Sequence, residues 1–440
     1  MNILMLTNTF MPYVGGVARS VQRFVDEYRQ QGHRVLVAAP LYKNTPESEL
    51  DVIRFPAIQH FNGTEFSLPM PVPGSRSAEL KRFQPDVVHA HHPFALGSTA
   101  LRIASSRGIP LVFTHHTMYE KYTHYIPGDS LRLKRYVVSL VAGYCNYCDA
   151  VIAPSESVAE LLRKRGVDTP ISVIPTGVNT ADIRNGDGVQ FREQVGIPSN
   201  AVVVGHVGRM ATEKNLGFLA QGVASYLRRN KQAYFVLVGE GPMTDEIQLE
   251  MERMKVADRF RPVGLLQKSE LSGAYKAMDV FAFSSHTETQ GMVLAEAMAA
   301  GVPVVALDAS GVREVVCDGV NGRLLAGDDV DQFASAIEWI ADLSPQQRRV
   351  IQSGAQMTAT EFDISRTANK ALDLYQSMAE LVQYKKRQEA NILLRTRRGI
   401  RSEWQIMSNI AKAAGNLLQS PNNCMDDALK LGITSVYPEN

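Results

Sequence analysis

The chain has 440 residues, too many for one ordinary core, so two domains of about 200 residues each are expected. Its 45% hydrophobic and 21% charged content describes a folded globular protein rather than a disordered one, and a net charge of +1 gives no global signature of nucleic-acid binding. Four scattered cysteines (Cys145, Cys148, Cys317, Cys424) exclude a disulfide framework and suit a reducing compartment.

Residues 3–7 form a continuous apolar run with no basic stretch before it, which reads as a first buried strand and not as a signal peptide. The turn Pro12-Tyr-Val-Gly15-Gly16 follows, then helical spacing over 17–31 and a second strand over 34–38. Residues 86–90, 111–114 and 150–153 are further short apolar runs after turn signals. Continuous rather than alternating apolar strands predict a parallel sheet covered on both faces. A fresh start comes at 201–208, with a helix from about Asn215 and strands at 235–238, 280–283 and 304–306. The second half therefore restarts the program of the first, in architecture though not in sequence. Residues 171–194, with Pro175, Gly177, Asn185, Gly186 and Gly188, read as the linker.

Beyond this the pattern changes. Ala371, Leu374, Tyr375, Met378, Leu381 and Val382 have helical spacing, and from Lys385 to Arg401 there are seven basic residues and one acid. Ile400, Trp404, Met407 and Ala411 would form the apolar face of a further helix. A basic amphipathic helix with tryptophan is either a membrane-surface element or a solvated helix whose apolar side packs on the protein itself. No apolar run reaches the ~18 residues that span a bilayer, so any membrane contact is expected from one side.

The most informative stretch is Glu288-Thr-Gln-Gly-Met-Val-Leu-Ala-Glu296, before Ala-Met-Ala-Ala-Gly301-Val-Pro303. It puts one carboxylate on a glycine-bearing loop and another inside a helix whose N-terminus offers backbone N–H groups to phosphate. A helix over these steps would rise roughly 12 Å, enough to hold the two sides of a nucleotide sugar. Arg209 and Lys214, after the first strand of the second half, can neutralise a diphosphate without a metal. Gly15-Gly16 is either a phosphate-approaching turn or an ordinary tight one. The histidines cluster at strand ends: His89, His91 and His92, then His115 and His116, then His124. His-x-His on a strand can bind metal, but no carboxylate or cysteine stands at ligand spacing, so no metal site is expected. An imidazole at 115–116 would either bond a sugar hydroxyl or be a satisfied buried group. Cys145-Asn-Tyr-Cys148 lies in an apolar helical pattern without a second such pair and reads as core.

Together these residues resemble the GT-B glycosyltransferases, specifically the retaining family 4. The matching pieces are Gly15-Gly16-Val17, the His116-Thr117 strand end, Pro175-Thr-Gly177-Val178-Asn179, Gly208-Arg209 with Lys214, Val238-Gly239-x-Gly241, and Glu288-x7-Glu296, in the family's order over roughly residues 1–380. The resemblance implies an α/β fold of two facing, doubly wound Rossmann-like domains. The first, acceptor-side domain would be 1–175, rejoined by a returning helix at about 360–383. The nucleotide-sugar domain would be 195–359, and 384–440 would be a basic helical extension outside the family's usual length.

It further implies that Glu296 binds the ribose and that Glu288 and His116 meet the donor sugar near the reacting centre. Thr289, Gln290, Gly291 and Met292 would present backbone N–H groups, Arg209 and Lys214 would hold the diphosphate, and Gly15 and Gly16 would approach it. The family needs neither divalent metal nor cofactor; the nucleotide sugar, UDP-glucose or similar, is the donor substrate. The segments His116-Thr-Met-Tyr119-Glu-x-Tyr122-x-His124-Tyr125 and Thr287-Glu-Thr-Gln-Gly look like the diacylglycerol glycosyltransferases. This implies a lipid acceptor entering at the Tyr-rich loop and a peripheral position at the cytoplasmic face of an anionic membrane. Leu131, Leu133, Tyr136 and Val137, among Arg132, Lys134 and Arg135, would lie against that bilayer or else pack on the sheet. Soluble-sugar, phosphoinositide or polyprenyl-linked acceptors, a nucleotide-sugar epimerase, and a non-enzymatic binding module remain alternatives. Donor base, hexose and oligomeric state stay open.

Overall fold

The computed structural model describes residues 1–13, 15–59, 67–70, 77–125, 130–286, 288–388, 393–417 and 433, without the side chains of 77, 78, 81, 124, 125, 384–388, 393–400, 416 and 417. The expectations attached to Thr287, to the side chains of His124 and Tyr125, and to the basic side chains of 385–398 and that of Ile400 lie outside the described residues. The chain divides into unit 1, Met1–Pro175 with Ala368–Asn440, and unit 2, Thr176–Thr367.

Unit 1 begins with β1 (Asn2–Leu6), α1 (Gly16–Gln30), β2 (Arg34–Pro40), β3 (Val52–Phe55) and a small antiparallel pair, β4 (Ala57–Ile58) and β5 (Leu68–Pro69). It continues with α2 (Ser77–Arg82), β6 (Val87–Ala90), α3 (Leu96–Arg107), β7 (Leu111–Thr114), α4 (Leu131–Cys145), β8 (Ala150–Ala153), α5 (Glu156–Lys164) and β9 (Ile171–Val173). Its seven-stranded sheet has the order β3-β2-β1-β6-β7-β8-β9, parallel throughout.

Unit 2 contains α6 (Thr180–Arg184), α7 (Gly188–Gln194), β10 (Val202–Val207), α8 (Leu216–Arg229), β11 (Ala233–Val238), α9 (Thr244–Arg253) and β12 (Phe260–Gly264). Then come α10 (Lys268–Ala277), β13 (Val280–Phe283), α11 (Met292–Ala299), β14 (Val304–Leu307), β15 (Gly322–Leu325), α12 (Val330–Ala341) and α13 (Pro345–Glu361). Its parallel sheet runs β12-β11-β10-β13-β14-β15. The helix α14 (Ile364–Gln388) begins in unit 2 and continues into unit 1, where α15 (Leu393–Leu417) follows.

The apolar strands are continuous because each feeds two cores. Val203 and Val207 of β10 pack in one cluster with Val236, Val238, Phe281 and Phe283; Val204 packs in the other with Phe235, Leu237, Val280 and Ala282. Successive residues point to opposite faces, and both faces are covered by helices. The two sheets share a winding. The chain enters at β1 or β10, works outward to one edge, then returns to the other side of the entry strand at β6 or β13. This leaves a topological switch point beside β1 and beside β10, where ligands of such sheets bind at the strands' carboxyl ends.

Two expectations need correction. Residues 171–194 are not a bare linker: they hold the edge strand β9 and the helices α6 and α7, which pack on α10. Gly186 and Gly188 serve close approach, since a Cβ on either would run into the α10 backbone at Ser272 or Lys276. The second concerns α4, whose apolar and basic residues do not form a free face. Arg135 is buried, Val137 packs on the core, and α15 lies along the helix. Cys145 and Cys148 are free thiols inside this core, where burial pushes the Cys145 thiol up to about 12.

Gly188→Ala is expected to cost about 1–3 kcal/mol because only backbone stands where the methyl would go. Gly217→Ala in α8, where the nearest neighbour is at ordinary contact distance, should be neutral or stabilise by up to about 1 kcal/mol. Urea unfolding of both variants checks the pair; equal effects would contradict the packing assigned to α7.

Candidate functional site

In unit 2 the candidate residues gather at the carboxyl ends of β10 and β13. After β10 the chain passes Gly208 and Arg209 into a single 3-10 turn, Thr212–Lys214, and Asn215 takes a left-handed conformation (φ 55) before α8. The Ser284 hydroxyl, just past β13, bonds the carbonyl oxygens of both Lys214 and Asn215 at 3.0 Å. The turn is thereby fixed to the neighbouring strand. From this position the Lys214 ammonium pairs with the Glu288 carboxylate, both side chains largely covered, while Arg209 pairs with Glu213 and stays half exposed. Gly239 and Gly241 hold the next loop against this one. Both have positive φ (127 and 153), and a Cβ would strike the carbonyl oxygen of Gly208 or Met210.

The helix α11 starts at Met292, with Gly291 at its N-cap in the left-handed region (φ 68) and no side chain capping it. Its first-turn N–H groups therefore get no side-chain acceptor from the cap position. Only the second half of the Glu288–Glu296 interval is helical, so a continuous helix rise does not describe their spacing. The Thr289–Gln290 peptide is pressed by Gly311, where a Cβ would contact it. The Gln290 side chain is tied to both backbone groups of Thr176: its oxygen accepts from the Thr176 N–H at 2.5 Å and its amide donates to the Thr176 carbonyl at 2.9 Å. Glu296 is buried in α11 and accepts the Tyr275 hydroxyl at 2.7 Å.

Unit 1 places Gly15 at the N-cap of α1, extended and without a side-chain cap bond, and Gly16 as the first helical residue. His89 lies in β6, His91 and His92 follow it, and His115 and His116 follow β7. The Tyr28 hydroxyl donates to that of Tyr375 (3.3 Å), and Tyr375 then donates to His89 Nδ1 (2.6 Å). The His89 proton therefore sits on Nε2, which faces Thr114 Oγ1 at 2.7 Å. His92 accepts the Asn8 N–H on Nδ1 at 3.0 Å. His91 Nδ1 and His116 Nε2 share one proton across 2.9 Å. His91 Nε2, both ring nitrogens of His115, Thr9 Oγ1 and Tyr119 Oη are buried without partners among the described residues. Both nitrogens of His89 are engaged, by Tyr375 and Thr114. In the Tyr-rich segment the buried Glu120 accepts Arg165 at 2.6 Å, so this stretch is anchored rather than loose.

Burial keeps these imidazoles neutral. It lowers His89 and His92 to about 3 and His115 to about 4, the last opposed by Glu120, and holds His91 and His116 well below the usual range with help from their histidine neighbours. His206, in β10 between Phe281 and Phe283, is lowered by burial to about 4, with Lys214 acting the same way and the Ala282 carbonyl and Glu288 opposing. Tyr275 and His206 carry no site motif in the sequence, and Tyr375 stands there only as one residue of a helical face. Only His206 had a local signal, as a polar residue inside an otherwise continuous apolar strand.

Two protein-family models match, Glycosyltransferase Family 4 over residues 14–182 and Glycosyl transferases group 1 over 189–357. The alpha-monoglucosyldiacylglycerol synthase of Streptococcus pneumoniae is 30% identical over 334 residues, covering 74% of this chain and 76% of that one. The chain belongs to glycosyltransferase family 4. A GDP-mannose-dependent alpha-mannosyltransferase of Mycolicibacterium smegmatis is 32% identical to this glycosyltransferase, covering 77% and 87%. The Anabaena protein HepE, solved with UDP-glucose, superimposes with a TM-score of 0.66 at 23% identity, over 86% of this chain and 100% of that one, and the fold is GT-B. The second family model ends before α15, which begins at Leu393.

The neutral histidines make stability of the glycosyltransferase depend on pH. Their folded pKa values lie below the free value near 6.5, so the unfolded chain binds protons that the folded one refuses. The full contribution is present above pH ~6.5 and is lost as pH falls toward the folded values of about 3 to 4. The urea midpoint should therefore fall steadily from pH 7 to pH 5. A midpoint constant over that interval would contradict neutral, buried imidazoles.

Proposed function

We propose that this glycosyltransferase moves a hexosyl unit, with retention of configuration, from a nucleotide sugar to a lipid hydroxyl such as that of diacylglycerol. UDP-glucose is the favoured donor, and the cytoplasmic face of an anionic membrane the favoured place. The observation that carries the donor half is the Lys214–Glu288 pair set at the switch point of unit 2, beside the uncapped start of α11 and the Tyr275-held Glu296. The lipid half is supported by the named activity of the pneumococcal relative.

In this reading unit 2 is the nucleotide-sugar domain and unit 1 the acceptor side. Glu296, oriented by Tyr275, takes the ribose hydroxyls. Arg209 and Lys214 take the diphosphate, whose negative charge grows as the anomeric carbon–oxygen bond breaks. The backbone of Thr289, Gln290, Gly291 and Met292 supports sugar and phosphate, with Gln290 fixed through Thr176. Gly15 and Gly16 at the start of α1 offer backbone N–H groups to phosphate. Glu288 stands by the donor sugar. His116, neutral and held by His91, offers a hydrogen bond rather than a charge to a sugar hydroxyl. The acceptor oxygen bonds the anomeric carbon on the face the phosphate leaves, and its proton passes to the departing phosphate oxygen. No protein nucleophile and no metal enter this scheme.

Glu288→Gln and Lys214→Ala should each stay folded and lower kcat by about a hundredfold or more, since they remove charge facing the reacting centre. Tyr275→Phe should raise the donor KM about three- to tenfold with kcat little changed, because it removes a hydrogen bond that orients Glu296. Turnover with purified UDP-glucose and diacylglycerol, followed by mass spectrometry of the lipid product, measures all three. Wild-type kcat in the first two would end the role assignment. Added chelator should leave the rate unchanged, and metal-restored activity would refute metal independence. A product formed only with GDP-mannose would move the donor to the chemistry of the mycobacterial relative.

A further inference from the structure

Among the described side chains of α15, the large apolar residues Trp404, Met407 and Ile410 are exposed. Its inner face, against α3 and α4, carries Ser402, Asn409 and Ala413, all buried, with Ile406 partly covered. That face is held by polar and close contacts. Asn409 donates to the Leu140 carbonyl at 2.9 Å, Glu403 pairs with Arg102 of α3, and Gly143 of α4 leaves room that a Cβ would deny to the Asn409 side chain. The opposite side shows Trp404 at 72% exposure, Met407 at 67% and Ile410 at 45%. An ordinary surface helix has the reverse arrangement. Three large apolar groups on one exposed stripe, with the protein side already occupied by small and polar residues, mark a face built for something outside the molecule.

Charge says which partner fits. Arg401 and Lys412 are exposed and lie roughly 60° and 80° round the helix from Trp404, on the same border of the stripe. The chain from Lys385 to Arg401 adds a balance of seven basic residues to one acid. Two copies packed through this stripe would bring like charges together, whereas an anionic lipid surface complements them. We infer that α15 is the element by which unit 1 docks on an anionic bilayer, with Trp404, Met407 and Ile410 entering the interface and the basic border meeting the head groups. The inference rests on the lipid-acceptor reading for its purpose, though not for its geometry. It also moves the membrane surface from α4, which α15 covers, to α15 itself.

The test uses the full chain and vesicles of phosphatidylcholine alone or mixed with phosphatidylglycerol. The protein has two tryptophans, so Trp339→Phe leaves Trp404 as the only reporter. Sedimentation with the mixed vesicles only, with a blue shift of Trp404 emission, is expected. Replacing Trp404, Met407 and Ile410 together by Gln should weaken vesicle binding about tenfold or more, with circular dichroism unchanged, because these side chains touch little of the protein. The same triple variant should keep its turnover on diacylglycerol dispersed in detergent. Wild-type binding by the triple variant would overturn the inference, and so would binding with no change at Trp404. An emission shift that follows protein concentration without vesicles, with a dimer in sedimentation, would overturn it in favour of a second copy. Stripe-dependent vesicle binding with no transfer to any lipid would uphold docking and defeat the lipid-acceptor reading, so the two fail separately.

Discussion

Both sheets are buried on both faces, and that constraint governs where chemistry can sit. A strand whose successive residues feed two apolar cores leaves few positions for a polar side chain, and His89 in β6 and His206 in β10 occupy two of them as neutral, buried groups. Unpaired charge inside would cost several kcal/mol, so charged and hydrogen-bonding groups collect just beyond the strands' carboxyl ends. The winding then selects among those ends. Where the chain crosses beside the entry strand, adjacent loops depart to opposite sides of the sheet and leave a crevice. In unit 2 that point has Lys214 after β10 and Glu288 after β13. In unit 1 it has Gly15 and Gly16 after β1 and His91 and His92 after β6.

The central strands were legible for the same reason. Apolar runs at 3–7, 111–114, 150–153, 201–208 and 280–283 stand out because both faces of each are buried. Besides the short pair β4 and β5, the strands the sequence did not reveal, β3, β9, β12 and β15, are the four outer strands of the two parallel sheets. An outer strand is paired on one side only and needs less continuous apolar character. β12 even includes Pro262, which cannot donate to a ladder and is confined to edges. Gly186 and Gly188 misled in a related way, because a glycine that admits a helix to another's backbone has the same letter as one that ends a domain.

Among the site residues, the motif positions were legible and their supports were not. Arg209 with Lys214, and Glu288 with Glu296, form two short local groups with turns and helix starts around them, and the fold brings Lys214 to Glu288 across 74 positions. Tyr275 reaches Glu296 from another helix, Thr176 holds Gln290 from 114 positions away, and Tyr375 reaches His89 from 286 positions away. Such partners are set by how helices pack on the sheet, which no local pattern records. The outward stripe of α15 is a partial case. The period showed an apolar face through Trp404 and Met407, but only the packing of Asn409 and Ala413 on unit 1 shows that this face points away from the protein.

The two units also differ in the kind of polarity they offer, and the difference follows from solvation. The histidines 89, 91, 92, 115 and 116 of unit 1 are enclosed among Phe113, Tyr119, Tyr375 and one another, so burial removes their charge and leaves neutral donors and acceptors. Two cations of unit 2 near the switch point each have a carboxylate beside them, Lys214 with Glu288 and Arg209 with Glu213. A hydroxyl-rich group is matched by neutral hydrogen bonds, which cost little desolvation on either side, whereas a diphosphate needs fixed positive charge. Within the proposed reaction, the neutral cluster therefore suits sugar and acceptor hydroxyls, and the paired cations suit the leaving group. Holding Lys214 against Glu288 also limits the cost of an empty site. The ammonium is already oriented and partly desolvated, so the incoming phosphate meets a charge that needs little rearrangement to stabilise the bond-breaking step.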